Sequence, residues 1–187
     1  MGGGVVLGEI SDVRDGTHES PKYHSHGFPL LTSKNLLENG SIDLKNVNLI
    51  SENDFLNINK RSKVDVGDIL FGMIGTIGNP VIVKANIFAI KNVALIKETG
   101  ALTNQFLVHY LKSNLIQKLF KILNVGNTQK FIALGQIRGL PIFMPCKKEQ
   151  AKIANFLTAI DDKITHAQTQ LAAVKQYKQG LLQQMFV

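Results

Sequence analysis

A glycine-spaced apolar segment, GDILFGMIGTIGNP at residues 67–80, is the first part of the sequence whose residue types suggest a binding function. Gly72, Gly75 and Gly78 are three positions apart, so the segment is neither a G-x-G-x-x-G dinucleotide fingerprint nor a Walker A loop. It does contain the short GXXG pattern that clamps nucleic-acid backbones in some domains. Two interpretations stay open. The glycines supply positive φ in a turn between strands, or the loop amides and the Thr76 hydroxyl reach a phosphate or a base edge.

Other residue types that support catalysis or metal binding lack a suitable context in this sequence. His18, His24 and His26 share one loop, but no second cluster completes a set of metal ligands. Cys146 is the only cysteine, so an internal disulfide is excluded, and nothing near it in sequence activates a thiol. No Ser/His/Asp or Cys/His constellation is evident. We therefore expect no catalytic residue, no metal and no cofactor held by this chain.

Length and composition indicate the broad class of protein. The chain has 187 residues, of which 44% are hydrophobic, and this is enough for one ordinary domain plus an appendage. No apolar run approaches the ~20 residues that span a bilayer. The opening segment MGGGVVLGEI lacks the cationic start and the long apolar core of a signal peptide. We expect a soluble cytoplasmic protein without a membrane partner.

The formal net charge of +7 is unevenly distributed along the chain. Residues 1–59 carry four Lys and Arg against eight Asp and Glu, whereas residues 60–138 carry eleven Lys and Arg against three acidic residues. A basic middle segment is typical of proteins that bind polyanions. A lysine-rich solvated surface gives the same balance, so charge alone leaves both interpretations open.

Hydrophobic patterning predicts a mixed α+β fold, with a β-rich domain over residues 1–145 that contains few helices. Short apolar runs rich in β-branched residues alternate with turn formers, which favours strands. The predicted strands are VVLGEI, FPLL, DILFGMI, PVIVK, FAI, VALIK and a last one before Pro145. One helix over residues 103–123 interrupts them, because its apolar residues recur at helical spacing after an N-cap at Thr103 or Asn104.

Residues 146–187 have a different pattern, that of one long helix without proline. Apolar residues recur at alternating steps of four and three over more than four heptads, which is the pattern of a coiled coil. The stripe residues predicted to form dimer or subunit contacts are Ile153, Leu157, Ile160, Ile164, Leu171, Val174, Leu181 and Met185. Such a stripe needs a partner helix, and both parallel and antiparallel pairing fit it. We therefore predict a folded domain over 1–145 and a dimerisation helix over 146–187.

Four stretches, taken in order, resemble the specificity subunit of type I restriction–modification systems. They are LGEI with DGTHESPKY and GFPLLTSKNL, then VDVGDILFGMIGTIGN, then GNTQKFIALGQIRGLPIFMP, then EQAKIANFLTAIDDKITHAQTQLAAVKQYKQGLLQQMF. The first three are similar to a target-recognition domain. The fourth is similar to the helical spacer that follows such a domain in this family. The run from Glu149-Gln150 to Asp161 is the most specific part of the resemblance.

The resemblance implies a mixed α/β domain that presents loops to the DNA major groove, followed by a long spacer helix. It implies a non-catalytic subunit whose partners are double-stranded DNA, methyltransferase (M) subunits and, in systems that restrict, restriction (R) subunits. S-adenosylmethionine would be bound by the methyltransferase subunit and not by this chain. Family members usually hold two recognition domains and two spacers, and this sequence has one of each. We expect a half-subunit that forms a homodimer through the helix, a truncated gene product or an excised segment.

Polar loop residues are the expected DNA contacts, because Asn and Gln suit adenine while Arg and Lys suit guanine and phosphate. The predicted DNA-binding residues are Thr17, His18, Lys22 and Tyr23 in the first loop, Lys34 and Asn35 after the second strand, Gly75 and Thr76 in the glycine loop, and Asn127, Thr128, Gln129 and Lys130 in a late turn. The alternative for each position is an ordinary surface loop residue.

Two other functions stay open at this point. A coiled-coil assembly module whose β domain binds a protein or a small ligand would dimerise without a salt-dependent affinity for DNA. A stand-alone modification or cleavage enzyme would need a catalytic set of residues. The sequence has neither an Asp/Asn-Pro-Pro-Tyr/Phe methylase motif nor an evident nuclease carboxylate–lysine set.

Overall fold

The described parts of the chain, residues 4–123 and 130–186, contain nine short strands, six α-helices and one 3-10 helix (Ser33–Asn35) in this computed structural model. The strands are β1 (Val5–Val6), β2 (Val13–Asp15), β3 (Phe28–Leu31), β4 (Asn48–Ile50), β5 (Ile69–Gly72), β6 (Gly78–Ile82), β7 (Ala89–Ile90), β8 (Val93–Ile96) and β9 (Pro141–Ile142). The helices are α1 (Leu7–Ile10), α2 (Glu52–Ser62), α3 (Asn104–Lys112), α4 (Asn114–Leu123), α5 (Leu134–Arg138) and α6 (Lys147–Met185). The mixed α+β class predicted from the sequence is confirmed.

The larger sheet is antiparallel, with the strand order β2-β8-β5-β6. Every residue of its two central strands, β5 and β8, is buried. Leu70 of β5 lies opposite Leu95 of β8 and Val81 of β6 in the register. Because both faces of these strands are covered, their sequences are continuous apolar runs and do not alternate with polar residues.

A second sheet of three strands, in the order β4-β3-β7, packs beside the larger one. β3 is antiparallel to β4 and parallel to β7. Leu30 of β3 belongs to a cluster with Phe55 and Ile58 of α2, whereas its neighbour Leu31 belongs to the main core with Leu70 and other residues of the larger sheet. Successive side chains of a strand point to opposite faces. β3 is therefore buried on both sides, which explains its lack of polar residues.

Four helical details differ from the sequence prediction. The single helix expected over residues 103–123 is two helices, because Ser113 is extended at ψ 151° and ends α3, and its carbonyl then accepts the Gln117 N–H at the start of α4. LGEI, expected within a strand, forms α1, and α5 lies in a segment for which no helix was predicted. The sequence prediction also omitted α2. Its N-cap signal was present, because the Ser51 hydroxyl accepts the Asp54 N–H at 3.1 Å.

The chain divides into two compact units, Met1–Ala151 and Lys152–Val187. The second unit is helical through Met185, as the heptads predicted. At 1.5 Å per residue, the 39 residues of α6 extend about 58 Å. Most apolar side chains of the heptad stripe are exposed in the single chain, with Ile164 at 50% and Val174 at 63%. No helix in the described ranges has the length and apolarity needed to cross a membrane.

An ion-paired cluster closes the end of β8 in the first unit. The Lys97 ammonium lies 2.6 Å from Asp68 and 2.7 Å from Asp65, and the Asp68 side chain is only 5% exposed. Burial lowers the pKa of Lys97, but hydrogen bonds to both carboxylates outweigh it and leave the pKa above its ordinary value. The hydrogen bond from Lys97 lowers the pKa of Asp65.

We expect Lys97→Met to lower the free energy of unfolding by about 3 kcal/mol at pH 7, because it leaves the Asp68 carboxylate buried without its cation. Asp65 has a lowered pKa in the folded state, so its share of the stabilisation is present above about pH 4 and is lost as the pH falls through the lowered pKa. Urea unfolding between pH 3 and pH 7 measures both effects.

Lys63→Met is the matched control, because Lys63 is 68% exposed and its ammonium lies 3.5 Å from Asp65. This variant is expected to cost at most about 1 kcal/mol. Equal losses for the two variants at pH 7 would contradict a structural role for the Lys97 pair.

Candidate nucleic-acid interface

The glycine loop is the turn that joins β5 to β6. Gly75 and Gly78 have φ of +71° and +89°, which are left-handed values that glycine adopts without strain. Gly72 is required for another reason, since a Cβ there would lie 2.2 Å from the Thr76 carbonyl oxygen. The positive φ expected of turn glycines is thus confirmed at Gly75 and Gly78, but not at Gly72. The turn also leaves Gly75 and Thr76 exposed at its tip.

The Ser33 hydroxyl attaches the glycine loop to two other loops. Ser33 follows β3 and is only 3% exposed. Its oxygen accepts the Met73 N–H at 3.1 Å and donates to the Asn92 carbonyl oxygen at 3.2 Å. Asn92 lies in the short turn between β7 and β8 and has a left-handed φ of 54°. The loop after β3, the glycine loop and the β7–β8 turn therefore meet at one buried side chain.

The late turn of the chain lies against the other side of the glycine loop. The Gly75 N–H donates to the Lys130 carbonyl oxygen at 3.0 Å, and the Ile132 N–H donates to the Met73 carbonyl oxygen at 2.9 Å. Lys130 is exposed next to Thr76 and Gly75 as a result. The other predicted residues of this turn, Asn127, Thr128 and Gln129, lie outside the described residues.

The first loop is attached to the β7–β8 turn through His18. One ring nitrogen, Nδ1, lies 2.7 Å from Asn92 Oδ1, and the other, Nε2, lies 2.8 Å from Asp15 Oδ2. The Thr17 N–H donates to the Ile90 carbonyl oxygen, so this loop continues the edge of the sheet. The predicted contacts Lys22 and Tyr23 follow in the same loop and are both exposed.

Asn35 is a predicted DNA contact for which the structure gives a different role. It is only 5% exposed, and its amide donates to the carbonyl oxygens of Asp43 and Asn46 at 3.3 and 2.9 Å. Its Oδ1 accepts the Thr32 N–H at 2.9 Å. The oxygen and the nitrogen of the Asn35 carboxamide are both hydrogen-bonded within the protein, so neither is available to a base. Its neighbour Lys34 is exposed.

The structure therefore joins segments that are far apart in the sequence through hydrogen bonds between loops. The exposed predicted residues of these loops, which we call the joined surface, are His18, Lys22, Tyr23, Lys34, Gly75, Thr76 and Lys130. A series of hydrogen bonds runs from His18 to Asn92, to Ser33, to the glycine loop and on to Lys130. Sequence reasoning found the outer members of this series but missed Ser33 and Asn92, which connect them. Asn92 carried a usable signal, because asparagine between two short apolar runs is a turn former that tolerates left-handed φ.

The cations of the basic middle segment are not all available to a ligand. Arg61 pairs with Asp15, Lys63 and Lys97 pair with Asp65, and both Arg138 nitrogens Nε and Nη2 donate to the Val13 carbonyl oxygen at 3.0 and 2.6 Å. The net charge of this stretch thus overstates its capacity to bind phosphate. Within the joined surface, the exposed cations are Lys22, Lys34 and Lys130.

A comparison with known protein families agrees with this arrangement. The family model described as type I restriction modification DNA specificity domain matches residues 8–176. The chain belongs to this family. The match includes both the joined loops and most of α6, so the sequence resemblance to type I specificity subunits is confirmed at the level of the family.

Solved structures of specificity subunits share the fold of this chain. A chain from a structural study of complex assembly and conformational transition in the type I R-M system matches with a TM-score of 0.69 and 19% identity over 95% of this chain. The S subunit from M. genitalium matches with 0.61 and 18% over 89%, and the HsdS subunit from Thermoanaerobacter tengcongensis with 0.59 and 19% over 87%. These matches cover 43%, 41% and 38% of the solved chains, so this chain spans about two fifths of their length.

We expect Ser33→Ala to lower the free energy of unfolding by about 1–3 kcal/mol, because the buried Met73 N–H loses its acceptor. Amide hydrogen exchange at Met73 and Ile74 should accelerate together with exchange in the β7–β8 turn. Ser25→Ala is the control, since Ser25 is exposed and, among the residues that the structure describes, its hydroxyl contacts the neighbouring His26 ring alone. Unchanged exchange at Met73 in Ser33→Ala would show that the hydroxyl does not hold these loops together.

Proposed function

We propose that this chain is a sequence-specific DNA-recognition subunit of a type I restriction–modification complex. The joined surface of the first unit contacts DNA, and α6 forms the spacer between two such surfaces. The observation that carries the proposal is the convergence of the predicted loops, since His18, Lys34, Thr76 and Lys130 belong to one hydrogen-bonded network of loops. A rigid scaffold that presents several loops together is the usual way in which proteins build a binding surface.

The chemistry of the exposed side chains suits double-stranded DNA. Lys22, Lys34 and Lys130 can contact phosphates, which give affinity and position without sequence information. Thr76, exposed at the tip of the glycine loop, offers a neutral hydroxyl that can donate or accept, which suits base edges. The family, the charge and the neutral polar groups favour DNA over the alternative of a protein or small ligand.

The proposed role is not catalytic. Methyl transfer, with S-adenosylmethionine as donor, belongs to partner M subunits, and cleavage, where the system restricts, belongs to R subunits. The specificity chain directs these subunits to the target by binding DNA. This division of labour follows what the family implies.

We further infer that the chain acts as a homodimer through α6. Exposed Ile164, Leu171 and Val174 recur at heptad spacing, and burying such a stripe against a second copy removes apolar surface from water. Antiparallel pairing of two helices would place two recognition surfaces around a two-fold axis. A symmetric dimer reads inverted, identical half-sites, because the symmetry of the protein imposes the symmetry of the site.

A map of modified adenines tests the proposed function directly. The chain would be produced in a host together with the methyltransferase subunit of its own system, and methylated adenines would be located by long-read sequencing. We expect a split, palindromic motif. A chain with two recognition domains is the positive control. If the control yields its motif and this chain yields none, DNA recognition by this chain is contradicted. A split motif with different halves would support recognition but contradict the symmetric dimer.

The dimer has its own test. Ile164→Asp combined with Leu171→Asp places charges in the stripe, and we expect the chain to sediment as a monomer at concentrations where the unchanged chain is a dimer. Thr169→Asp is the matched control, because position 169 lies on the opposite face of the helix from the stripe. Sedimentation equilibrium measures both variants. A dimer that survives the double substitution would show that α6 does not form the contact.

A further inference from the structure

A groove lies beside the joined loops, between the end of β3, the start of β4 and the β7–β8 turn. Its volume is 380 Å³, and its lining includes Lys34, Asn46, Asn48 and Asn92. Ile74 of the glycine loop contributes an apolar part of the wall. Three of these residues, Lys34, Asn46 and Asn48, are exposed, so a ligand that lies on the surface reaches their side chains.

The four asparagines of the groove are in different states. Asn35 uses both ends of its carboxamide in hydrogen bonds within the protein. The Asn46 amide donates to the Asp43 carboxylate at 2.8 Å, and this bond lowers the pKa of Asp43. Asn92 offers its Oδ1 to His18 at 2.7 Å. Asn48 makes no side-chain hydrogen bond within residues 4–123 and 130–186. Both the donor and the acceptor of its carboxamide are thus available to a ligand.

The backbone of Asn48 is fixed although its side chain is not engaged. Asn48 lies in β4, in register with Leu30 of β3, and the next residue, Leu49, accepts the His24 N–H at 2.9 Å from the other side. The strand is therefore held on both edges at this point. A side chain on a fixed strand is positioned more closely than one on a free loop, which suits it to discriminate between ligands.

The chemistry of the groove distinguishes a base edge from a phosphate. A phosphate is bound by cations and converging N–H groups, whereas most of the groove is lined by neutral carboxamides and aliphatic side chains. An available carboxamide forms a bidentate pair with adenine, accepting from N6–H and donating to N7. Lys34 at the same groove supplies a positive charge near the DNA backbone or a guanine.

On this basis, and resting on the proposed function, we propose that Asn48 reads an adenine in each half-site, in a groove that Asn92 and Lys34 complete. Asn48 is absent from the residues that sequence reasoning selected, and it begins β4, a strand that the sequence did not predict. Asn92, whose Oδ1 lies 2.7 Å from His18 Nδ1, also lines the groove. The groove thus adds a specificity-determining position to the phosphate-contacting lysines of the joined surface.

The test compares the methylated motif of the unchanged chain with those of Asn48→Ala and Asn48→Asp, each produced with the methyltransferase subunit of the same system. We expect the preference for adenine at one position of each half-site to fall by at least about fivefold in Asn48→Ala. Asn48→Asp keeps the shape of the side chain but loses the donor to N7, so the adenine preference should also be lost. Asn53→Ala, an exposed asparagine in the first turn of α2, is the matched control and should leave the motif unchanged.

The outcomes separate this inference from the proposed function. If the unchanged chain yields no motif, the proposed function fails and the inference fails with it. If the unchanged chain yields a motif and Asn48→Ala yields the same motif with the same base preferences, only the inference is overturned. Loss of all modification by a variant that melts like the unchanged chain would also overturn it, because Asn48 would then contribute affinity and not base selection.

Discussion

The arrangement of the candidate interface depends on one buried hydroxyl. Ser33 accepts two backbone N–H groups of the glycine loop, at 3.1 and 3.4 Å, and donates to the β7–β8 turn. Backbone groups that are buried without a partner cost about 1–3 kcal/mol each, and the glycine loop offers these N–H groups no partner of its own. Ser33 thereby fixes the position of the glycine loop relative to the β7–β8 turn. The positions of Thr76, Lys130 and His18 follow from this, because their loops are hydrogen-bonded to the glycine loop or to that turn.

Burial of β3 on both faces keeps the Ser33 hydroxyl inside the protein. Leu30 packs toward α2 and Leu31 packs toward the larger sheet, so β3 lies between two layers and its end is held inside the protein. The residues that follow it emerge at the joint between the layers. A buried strand is thus followed directly by the polar loop that carries Lys34. Because this loop begins immediately after the core strand, its position is fixed by the packing of that strand.

The sequence allowed most strands and the long helix to be predicted, because apolar runs and heptads are local patterns. α2 was missed since only Phe55 and Ile58 mark its buried face, and its caps are a weaker signal than periodicity. The split between α3 and α4 depends on one extended residue, Ser113. In the candidate site, the outer residues His18, Thr76 and Lys130 were predictable as polar loop residues. The contacts that join them are tertiary, and no spacing in the chain encodes that Ser33 meets Asn92.

Asn35 shows most clearly why residue type alone does not assign a role. Asn35 and Asn48 carry the same carboxamide, lie near the same loop and differ in what surrounds them. Asn35 has four polar backbone or side-chain groups within hydrogen-bonding distance and is only 5% exposed, so its amide belongs to the fold. Asn48 projects from a strand whose backbone is already satisfied. A carboxamide can pair with a base only where its donor and acceptor are not already hydrogen-bonded within the protein. Whether they are depends on the folded structure and not on the residue type.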